Sequence, residues 1–245
     1  MRLVPHVRRF TLAGLAMAAL LAPAAAQEPR STAPNALTAQ ERTQPWWQGM
    51  HTSFLERAKQ GDVGLLFIGD SITQGWGGAP KVWGRFYGPR KAANFGIGGD
   101  QTGHLLWRID HDELKGISPK AVVLMIGTNN LGQDKDGDIA AGIEAVVKAI
   151  RAKLPEAKVL LLGVFPRAEK PEAGERGRIK AINEQISKLD DDKAVHYLNI
   201  GKAFLEADGT ISKEIMPDFL HLSSKGYRRW ADAIEPTLWK LVDEK

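Results

Sequence analysis

At residues 65–73 the chain reads Leu-Leu-Phe-Ile-Gly-Asp-Ser-Ile-Thr, an apolar run that stops at a Gly-Asp-Ser turn. An apolar run bounded by turn residues is typical of a central strand in a parallel sheet. Ligands of open α/β sheets bind at the carboxyl ends of the strands. The pattern therefore places the hydroxyl of Ser71 at the rim of a sheet, although a lone serine in this context is more typical of a turn or a helix cap.

Strand-like apolar runs alternate with helical stretches along the rest of the chain. The expected strands cover residues 63–68, 91–95, 121–126, 158–164 and 194–200. An amphipathic helix from Trp46 to the Gly61-Asp62 turn precedes them, and further helices are expected over residues 82–87, 103–114, 139–154, 177–189 and 223–242. This alternation predicts right-handed crossovers and an α/β fold whose parallel sheet is covered by helices on both faces.

The first 26 residues have the composition of an export signal. Arg2, Arg8 and Arg9 precede an apolar run over residues 10–21, and three alanines precede Gln27 as a small-residue cleavage site. The run is too short for a permanent membrane span. We therefore expect residues 1–26 to be cleaved and the mature protein to be periplasmic or secreted. The Arg8-Arg9 pair leaves open whether export follows the general or the twin-arginine route.

The remaining 219 residues are expected to form one domain behind a short leader. Residues 27–44 are rich in Pro, Ser, Thr and Ala without periodicity, which predicts a disordered leader. Residues 45–245 contain no internal repeat and no linker, which predicts a single domain.

Charge and cysteine content exclude several classes of partner and of stabilisation. The formal net charge is +4, but removing the three arginines of the signal from the total of 33 basic residues leaves 30 against 29 acidic ones. A nearly neutral mature chain gives no electrostatic argument for nucleic acid or a membrane surface as partner. The chain has no cysteine, so an exported form would rely on its core alone.

Four polar clusters from distant parts of the chain are predicted to meet at one edge of the sheet. Three of them follow the first, second and third strands, and the fourth precedes the last helix; they cover residues 69–71, 94–100, 127–130 and 218–221. Convergence of clusters from several elements indicates a functional site more strongly than any one motif does.

His221 is the candidate base for the Ser71 hydroxyl, which is a poor nucleophile without one. Among the histidines it is the one with a carboxylate three residues earlier, Asp218, across a turn. Asp218 would orient one imidazole nitrogen and leave the other facing Ser71, as in a Ser-His-Asp triad. The alternative is that Asp218 caps the last helix and His221 is solvated.

Acyl transfer also needs hydrogen-bond donors for the oxyanion. Candidate donors are the peptide N–H of Ser71, the peptide N–H of Gly99, and the side-chain amide of Asn129. Each has a structural alternative, a tight turn for the glycine block and a helix cap for Asn129. Asp70, Gln74, Trp76 and Arg167 are candidate substrate contacts. The alternatives are packing for the aromatic residue and a surface ion pair with Glu169 for Arg167.

Other motifs with known chemistry do not occur. Gly96-x-Gly98-x-x-Gln101 lacks the third small residue of a dinucleotide fingerprint, and Gly69-x-Ser71-x-Thr73 is not a nucleophile elbow. The sequence has no Gly-Lys-Ser/Thr loop, no His-Glu-x-x-His and no cysteine pair. No metal and no cofactor is therefore expected.

The four blocks resemble, in order, those of GDSL-type SGNH hydrolases. Within that family, Asn-Phe-Gly-Ile-Gly-Gly-Asp at 94–100 and Leu-Trp-Arg at 106–108 are similar to the catalytic subunits of intracellular platelet-activating-factor acetylhydrolases and their bacterial relatives. The resemblance covers about residues 63–239. It implies a flavodoxin-like three-layer α/β/α sandwich with a five-stranded parallel sheet of order 2-1-3-4-5. It also implies that Ser71 is the nucleophile and that Asp218 and His221 complete the triad.

The sequence thus favours an exported serine esterase that forms an acyl-enzyme. A short acyl group such as acetyl is expected because few residues are available to enclose a long chain, and acetylated carbohydrates, lysophospholipids and thioesters all fit. A catalytically silent carbohydrate-binding relative and a flavodoxin-like binder of phosphate or flavin are the alternatives. The oligomeric state is left open.

Overall fold

The computed structural model describes Met1 and residues 35–244, and its centre is a five-stranded parallel sheet. The strands are β1 to β5 in chain order, and their spatial order is 2-1-3-4-5, as the resemblance implies. Gly69 at the end of β1 pairs in register with Gly96 of β2 and Met125 of β3. The carboxyl ends of these three strands therefore form one edge. The strand bounds are Leu65–Gly69, Ala92–Gly96, Ala121–Met125, Lys158–Leu162 and Val195–Leu198.

Seven α-helices lie within the described residues, and the longer ones match the expected helical stretches. None of the helices in this part of the chain is long and apolar enough to cross a lipid bilayer. In chain order, α1 to α7 are Pro45–Lys59, Ser71–Gln74, Pro80–Phe86, Thr102–Asp110, Asp136–Lys153, Gly174–Ile186 and Ser224–Val242.

Alternate side chains of β1 pack on opposite faces of the sheet, which accounts for its uninterrupted apolar run. Leu66 and Ile68 belong to the apolar cluster formed with α4, α5 and α6. Leu65 and Phe67 belong to the cluster on the other face, formed with α7 and the segment around α3. On that face Phe67 contacts Tyr87 and Trp230, with ring centroids 4.6 and 6.3 Å apart. The sheet is therefore covered on both sides, as predicted.

Two glycines let α2 pack directly on the carboxyl edge of the sheet. A Cβ added to Gly96 would lie 2.2 Å from the backbone nitrogen of Gln74. A Cβ added to Gly69 would lie 2.5 Å from Thr73 Oγ1 in α2 and 2.1 Å from the carbonyl oxygen of Met125 in β3. None of these distances is compatible with a side chain, so both positions require glycine for close backbone approach. The result is a short helix, α2, held immediately above the ends of β1 and β2.

The expectation of a disordered leader over residues 27–44 is wrong for its second half. Residues 35–37 form a 3₁₀ turn, and Ala36 is fully buried. The carbonyl oxygen of Ala36 accepts a hydrogen bond from Thr102 Oγ1 at 2.7 Å. The Cβ position of Gly142 in α5 lies 2.4 Å from the same carbonyl oxygen, so this segment packs tightly on α4 and α5. The predicted export signal and residues 27–34 lie outside the described residues.

Candidate active site

Ser71 is the first residue of α2, and Asp70 is its N-cap. The Asp70 Oδ1 atom accepts a hydrogen bond from the peptide N–H of Ile72 at 2.9 Å. The first peptide N–H groups of a helix have no acceptor within the helix. The geometry therefore assigns capping to Asp70 rather than to Ser71, and it leaves the Ser71 hydroxyl and the start of α2 at the edge of the sheet.

The imidazole of His221 lies between the Ser71 hydroxyl and the Asp218 carboxylate. Its Nε2 atom is 2.9 Å from Ser71 Oγ, across 150 residues of chain. Its Nδ1 atom is 2.7 Å from Asp218 Oδ2. A neutral imidazole protonated on Nδ1 would donate to Asp218 and present a lone pair to Ser71. This chain of hydrogen bonds has the order and spacing that proton removal from a serine requires.

Asp218 is held in place by its own turn rather than by the last helix. Its Oδ1 atom accepts hydrogen bonds from the peptide N–H groups of Leu220 and His221 at 3.1 and 2.7 Å. The N-cap of α7 is Ser223, whose hydroxyl accepts from the peptide N–H of Gly226. The alternative that Asp218 caps the last helix is therefore wrong. Partial burial opposes ionisation of Asp218, but the hydrogen bonds from the side chain and backbone of His221 outweigh it and lower its pKa.

The Asp218 turn has a strained backbone. Phe219 has a φ of 60° and Ala168, in the loop after β4, has a φ of 66°. The two are joined because the peptide N–H of Ala168 donates to the carbonyl oxygen of Phe219 at 2.9 Å. Non-glycine residues in this region of φ are strained, and such residues occur often at functional sites. The contact fixes the turn between Asp218 and His221 against the end of β4.

The glycine-rich loop after β2 lies against Ser71. A Cβ added to Gly98 would be 3.8 Å from the Cβ of Ser71. The peptide N–H of Gly98 donates to Gln74 Oε1 at 2.7 Å, and Asn129 Nδ2 donates to the carbonyl oxygen of Asp100 at 2.9 Å. Gly99 is exposed and has a φ of 76°, which favours glycine. The loops after β1, β2 and β3 thus meet here, as the sequence predicts.

Gln74 and Asn129 have structural contacts that the sequence does not reveal. Gln74 positions the backbone of Gly98, so its observed contact is with the protein itself. Asn129 lies in a 3₁₀ turn, and the N-cap of α5 is Lys135, so Asn129 does not cap that helix. One amide hydrogen of Asn129 is used by Asp100, and the second remains available for a ligand because a side-chain amide carries two donors.

A buried charge cluster lies beneath the glycine-rich loop, and the sequence analysis does not predict it. Arg108 is completely buried; it donates to Asp100 Oδ2 at 2.7 Å and to both oxygens of Glu113. Trp47 Nε1 donates to Asp100 Oδ1 at 2.7 Å, and Arg42 donates to the same oxygen at 3.2 Å. Burial lowers the pKa of Arg108, but the two carboxylates outweigh burial and raise it overall. Asp100 and Arg108 stand in the 94–100 and 106–108 runs of the sequence, but neither run indicates that the two side chains form a buried charge cluster with Glu113.

The structure buries Asp70 and Trp76, contrary to their prediction as substrate contacts. Asp70 is fully buried, and Trp76 is 1% exposed within an aromatic cluster that includes Phe67 and Trp230. Burial is the main cause of a rise in the Asp70 pKa to about 7, with a smaller contribution from Asp100. Side chains with so little exposed surface are not available to a substrate in this structure. The sequence does not reveal this burial, because a loop has no hydrophobic periodicity that indicates which side chains face the core. Both residues therefore stabilise the turn that carries Ser71 from its buried side.

Arg167 lies on the predicted edge of the sheet. Its Nη1 atom is 3.5 Å from both the carbonyl oxygen and Oγ1 of Thr128, at the long limit of a hydrogen bond. The guanidinium therefore approaches the loop that carries Asn129 rather than Glu169. This position leaves its charge available to an anionic group near that loop.

Among the described residues, one group has metal-ligand side chains close together. Asp190, Asp192 and His196 have ligand atoms within 4.8 Å of one another. The Asp190 carboxylate, however, accepts hydrogen bonds from the peptide N–H groups of Asp192 and Tyr197. The group lies at the amino end of β5, whereas Ser71 follows the carboxyl end of β1, so it belongs to a turn at the other edge of the sheet.

Comparisons with known proteins match this chain to one family model and to several relatives. The sequence model of the GDSL-like Lipase/Acylhydrolase family matches residues 67–229. Platelet-activating factor acetylhydrolase IB subunit alpha2 of Gallus gallus is 37% identical over 198 residues, which cover 81% of this chain and 86% of that protein. Subunit alpha1 of Homo sapiens is 36% identical over 197 residues, which cover 80% of this chain and 84% of that protein.

Solved structures show the same fold at lower sequence identity. A GDSL-like lipase from Bacteroides thetaiotaomicron has a TM-score of 0.62 and 20% identity, and the match covers 79% of this chain and 97% of that one. An acetyl xylan esterase has a TM-score of 0.60 and 24% identity, with coverage of 71% and 98%. All four residue blocks that suggested a family lie within residues 67–229.

Proposed function

Because the chain belongs to the GDSL-like lipase/acylhydrolase family and is an ester hydrolase, we propose that it works through a Ser71-His221-Asp218 triad on short acyl esters, acetyl esters above all. The observation that carries this proposal is the continuous chain of contacts from Ser71 Oγ through both imidazole nitrogens to Asp218 Oδ2, at 2.9 and 2.7 Å. Ser71 and His221 are 150 residues apart in the chain, so their contact is a result of the fold and not of local sequence.

The reaction proceeds in two acyl-transfer steps. Ser71 Oγ attacks the ester carbonyl carbon while His221 Nε2 takes the hydroxyl proton, and Asp218 stabilises the resulting imidazolium. The tetrahedral intermediate collapses, His221 returns the proton to the leaving alkoxide, and an acyl-enzyme remains. Water then attacks the acyl-enzyme by the same route, which releases the acid and restores Ser71. The mechanism needs no redox step, and each proton transfer passes through His221.

The negative charge on the carbonyl oxygen is stabilised by three donors. These are the peptide N–H groups of Ser71 and Gly99 and the free amide hydrogen of Asn129. Each comes from a different strand end, and Asn129 is tied to the glycine-rich loop through Asp100. Removal of one donor of this kind costs about 10²- to 10³-fold in rate.

A short acyl group on a bulky alcohol fits the exposure of the site. Gly99 is exposed and His221 is partly exposed, so the ester is reached from solvent. Two of the similar proteins, by their names, remove acetyl groups, one from platelet-activating factor and the other from xylan. We propose acetylated carbohydrates and lysophospholipid-like esters as the substrate classes, and Arg167 as a contact for an anionic group on either.

Export to the periplasm or the medium is part of the proposal and rests on residues 1–26. Their basic start, apolar run and small-residue cleavage site are those of a secretory signal. N-terminal sequencing of the protein recovered from the periplasm or medium should begin at Gln27. Recovery of the whole chain from the cytoplasm, starting at Met1, would contradict export without affecting the chemistry.

Substitution of Ser71 tests the proposed chemistry directly. Ser71→Ala should abolish hydrolysis of p-nitrophenyl acetate and labelling by a fluorophosphonate probe, with an unchanged circular dichroism spectrum. Ser53→Ala is the matched control, because Ser53 is an exposed serine on α1 whose hydroxyl donates to a backbone carbonyl. The control should keep full activity. Hydrolysis that persists in Ser71→Ala would refute the assignment, and a panel of acyl chain lengths and acetylated oligosaccharides would identify the substrate.

A further inference from the structure

The peptide unit that joins Gly98 and Gly99 is held from one side by an arginine. Arg42 Nη1 donates a hydrogen bond to the carbonyl oxygen of Gly98 at 2.7 Å. The N–H of the same planar unit belongs to Gly99 and points in the opposite direction. Under the proposed function, that N–H is a donor to the oxyanion. The contact made by Arg42 therefore acts on the orientation of a catalytic donor that Arg42 itself does not touch.

The guanidinium of Arg42 is itself fixed in place. It donates to Asp100 Oδ1 at 3.2 Å and lies 4.8 Å from the centroid of the Trp46 ring. Its side chain is 15% exposed, and a Cβ added to Gly99 would lie 3.3 Å from its Nη1 atom. Arg42 thus covers the outer side of the Gly98-Gly99 peptide, with a carboxylate and an aromatic ring to hold it there.

We propose that Arg42 is a positioning residue that locks the Gly98-Gly99 peptide with its N–H directed into the oxyanion site. The inference rests on the proposed function and adds a residue to it. The peptide between two consecutive glycines can rotate at little steric cost. Gly99 has a φ of 76°, and glycine adopts positive and negative φ values about equally easily. A rotated peptide would present the Gly98 carbonyl oxygen, rather than an N–H, to the developing negative charge.

The positive charge of Arg42 adds to this effect. A cation bound to the carbonyl oxygen polarises the peptide and makes its N–H a better donor. Gln74 and Asn129 hold the neighbouring peptides, through the N–H of Gly98 and the carbonyl oxygen of Asp100. The orientation of the Gly98 carbonyl group, in contrast, is fixed by the hydrogen bond from Arg42.

A different role for Arg42, direct binding of an anionic substrate, predicts a different kinetic effect. Loss of a substrate contact raises KM at constant kcat, whereas loss of a donor made only in the transition state lowers kcat. p-Nitrophenyl acetate carries no anionic group near its acyl carbon, so it reports on the oxyanion site without this complication.

The test compares Arg42→Ala and Arg42→Lys with Arg151→Ala in the full-length protein. Arg151 is the matched control, because it also donates to loop carbonyl groups, those of Leu154 and Ala157, but at the amino end of β4. Arg42→Ala should lower kcat for p-nitrophenyl acetate about 10- to 100-fold, less than complete loss of a donor, with KM changed by less than about threefold. Arg42→Lys keeps the charge and should fall between Arg42→Ala and wild type, and Arg151→Ala should match wild type.

Chemical rescue separates positioning from general stability. Millimolar guanidinium should restore part of kcat in Arg42→Ala and have no such effect on Arg151→Ala. A kcat within about twofold of wild type in Arg42→Ala, or a rise in KM alone, would overturn the inference while Ser71-dependent hydrolysis still stands. If Arg42→Ala does not fold, an Arg42→Lys variant with unchanged kcat and KM and wild-type stability would overturn it equally. Absence of Ser71-dependent hydrolysis in the wild type would remove both this inference and the proposed function.

Discussion

Ionisation of the Asp70 carboxyl group should lower the free energy of unfolding as pH rises. Asp70→Asn should remove this pH dependence. Its carboxyl group is fully buried, Oδ1 is bound by the peptide N–H of Ile72, and Oδ2 is buried without a hydrogen-bond partner among the described residues. Burial raises its pKa to about 7, from 3.8 in a solvated chain. An asparagine keeps the acceptor for Ile72 and carries no charge, so it preserves the cap of α2.

The sign follows from the two pKa values. Between pH 4 and 7 the folded protein keeps a proton on Asp70 that the unfolded chain has released, so the free energy of unfolding falls as pH rises. At 1.36 kcal/mol per pKa unit, the reduction is about 1.5–2 kcal/mol at pH 5 and about 4 kcal/mol at pH 8. Asp70→Asn should therefore gain about 2.5 kcal/mol more over wild type at pH 8 than at pH 5.

Thermal and urea denaturation at pH 5, 6, 7 and 8 would measure this difference. For a domain of this size, the extra gain at pH 8 corresponds to about 5–10 °C in Tm. Asp208→Asn is a suitable control, because Asp208 is exposed and hydrogen bonds from Thr210 lower its pKa, so the control should show no stabilisation that increases with pH. If wild type and Asp70→Asn keep a constant difference from pH 5 to pH 8, the carboxyl group is ionised throughout and the reasoning from burial is wrong.

Two further substitutions test the supports beneath the site. Arg108→Met should destabilise the fold by about 3–5 kcal/mol in urea denaturation, because it removes the buried guanidinium that the Asp100 and Glu113 carboxylates share and leaves Asp100 to Arg42 and Glu113 to His51; a loss below about 1 kcal/mol would show that these remaining contacts suffice for the two carboxylates. Tyr227→Phe should cost about 1–2 kcal/mol, because the Tyr227 hydroxyl donates to the carbonyl oxygen of Ile72 at 2.7 Å. Its control is Tyr87→Phe, which removes a buried hydroxyl without a hydrogen-bond partner among the described residues, and equal losses in the two variants would contradict the argument.

The sheet was predictable because its strands are short apolar runs that end at turn residues. β1 shows why: all five of its residues are buried, so the run has no polar interruption, and glycine ends it where α2 packs against the sheet. The clusters at the strand ends followed from the geometry of parallel sheets, which brings the carboxyl ends together whatever the loops contain. The spacing between Asp218 and His221 predicted a contact that the structure has at 2.7 Å.

The supports of the site were not predictable, because they depend on single long-range contacts. Arg42 lies in a segment without hydrophobic periodicity, and its ordering depends on hydrogen bonds to Gly98 and Asp100, more than 50 residues away. Trp76 and Asp70 both follow β1 in loop-like sequence, where no period of two or 3.6 indicates which side chains face inwards. The composition of residues 35–44 predicts part of a disordered leader, whereas Ala36 is fully buried and packs this segment onto the domain.

The carboxyl groups around Ser71 differ in environment, and that difference matters for an oxyanion. Asp218 is more than half exposed and faces His221, where its charge would stabilise the imidazolium of the proposed mechanism. Asp100 is buried but paired with Arg42 and Arg108, which offset part of its negative charge beside the glycine-rich loop. Asp70, directly before Ser71, has a pKa raised to about 7 and loses its charge as pH falls through neutrality. An ionised and unpaired carboxylate at either buried position would repel the negative charge that forms on the substrate, at a distance where a protein interior screens poorly. In the proposed mechanism, a protonated Asp70 and the arginine contacts of Asp100 would serve the same end as the three proposed donors, because both would lower the energy of an anion beside Ser71.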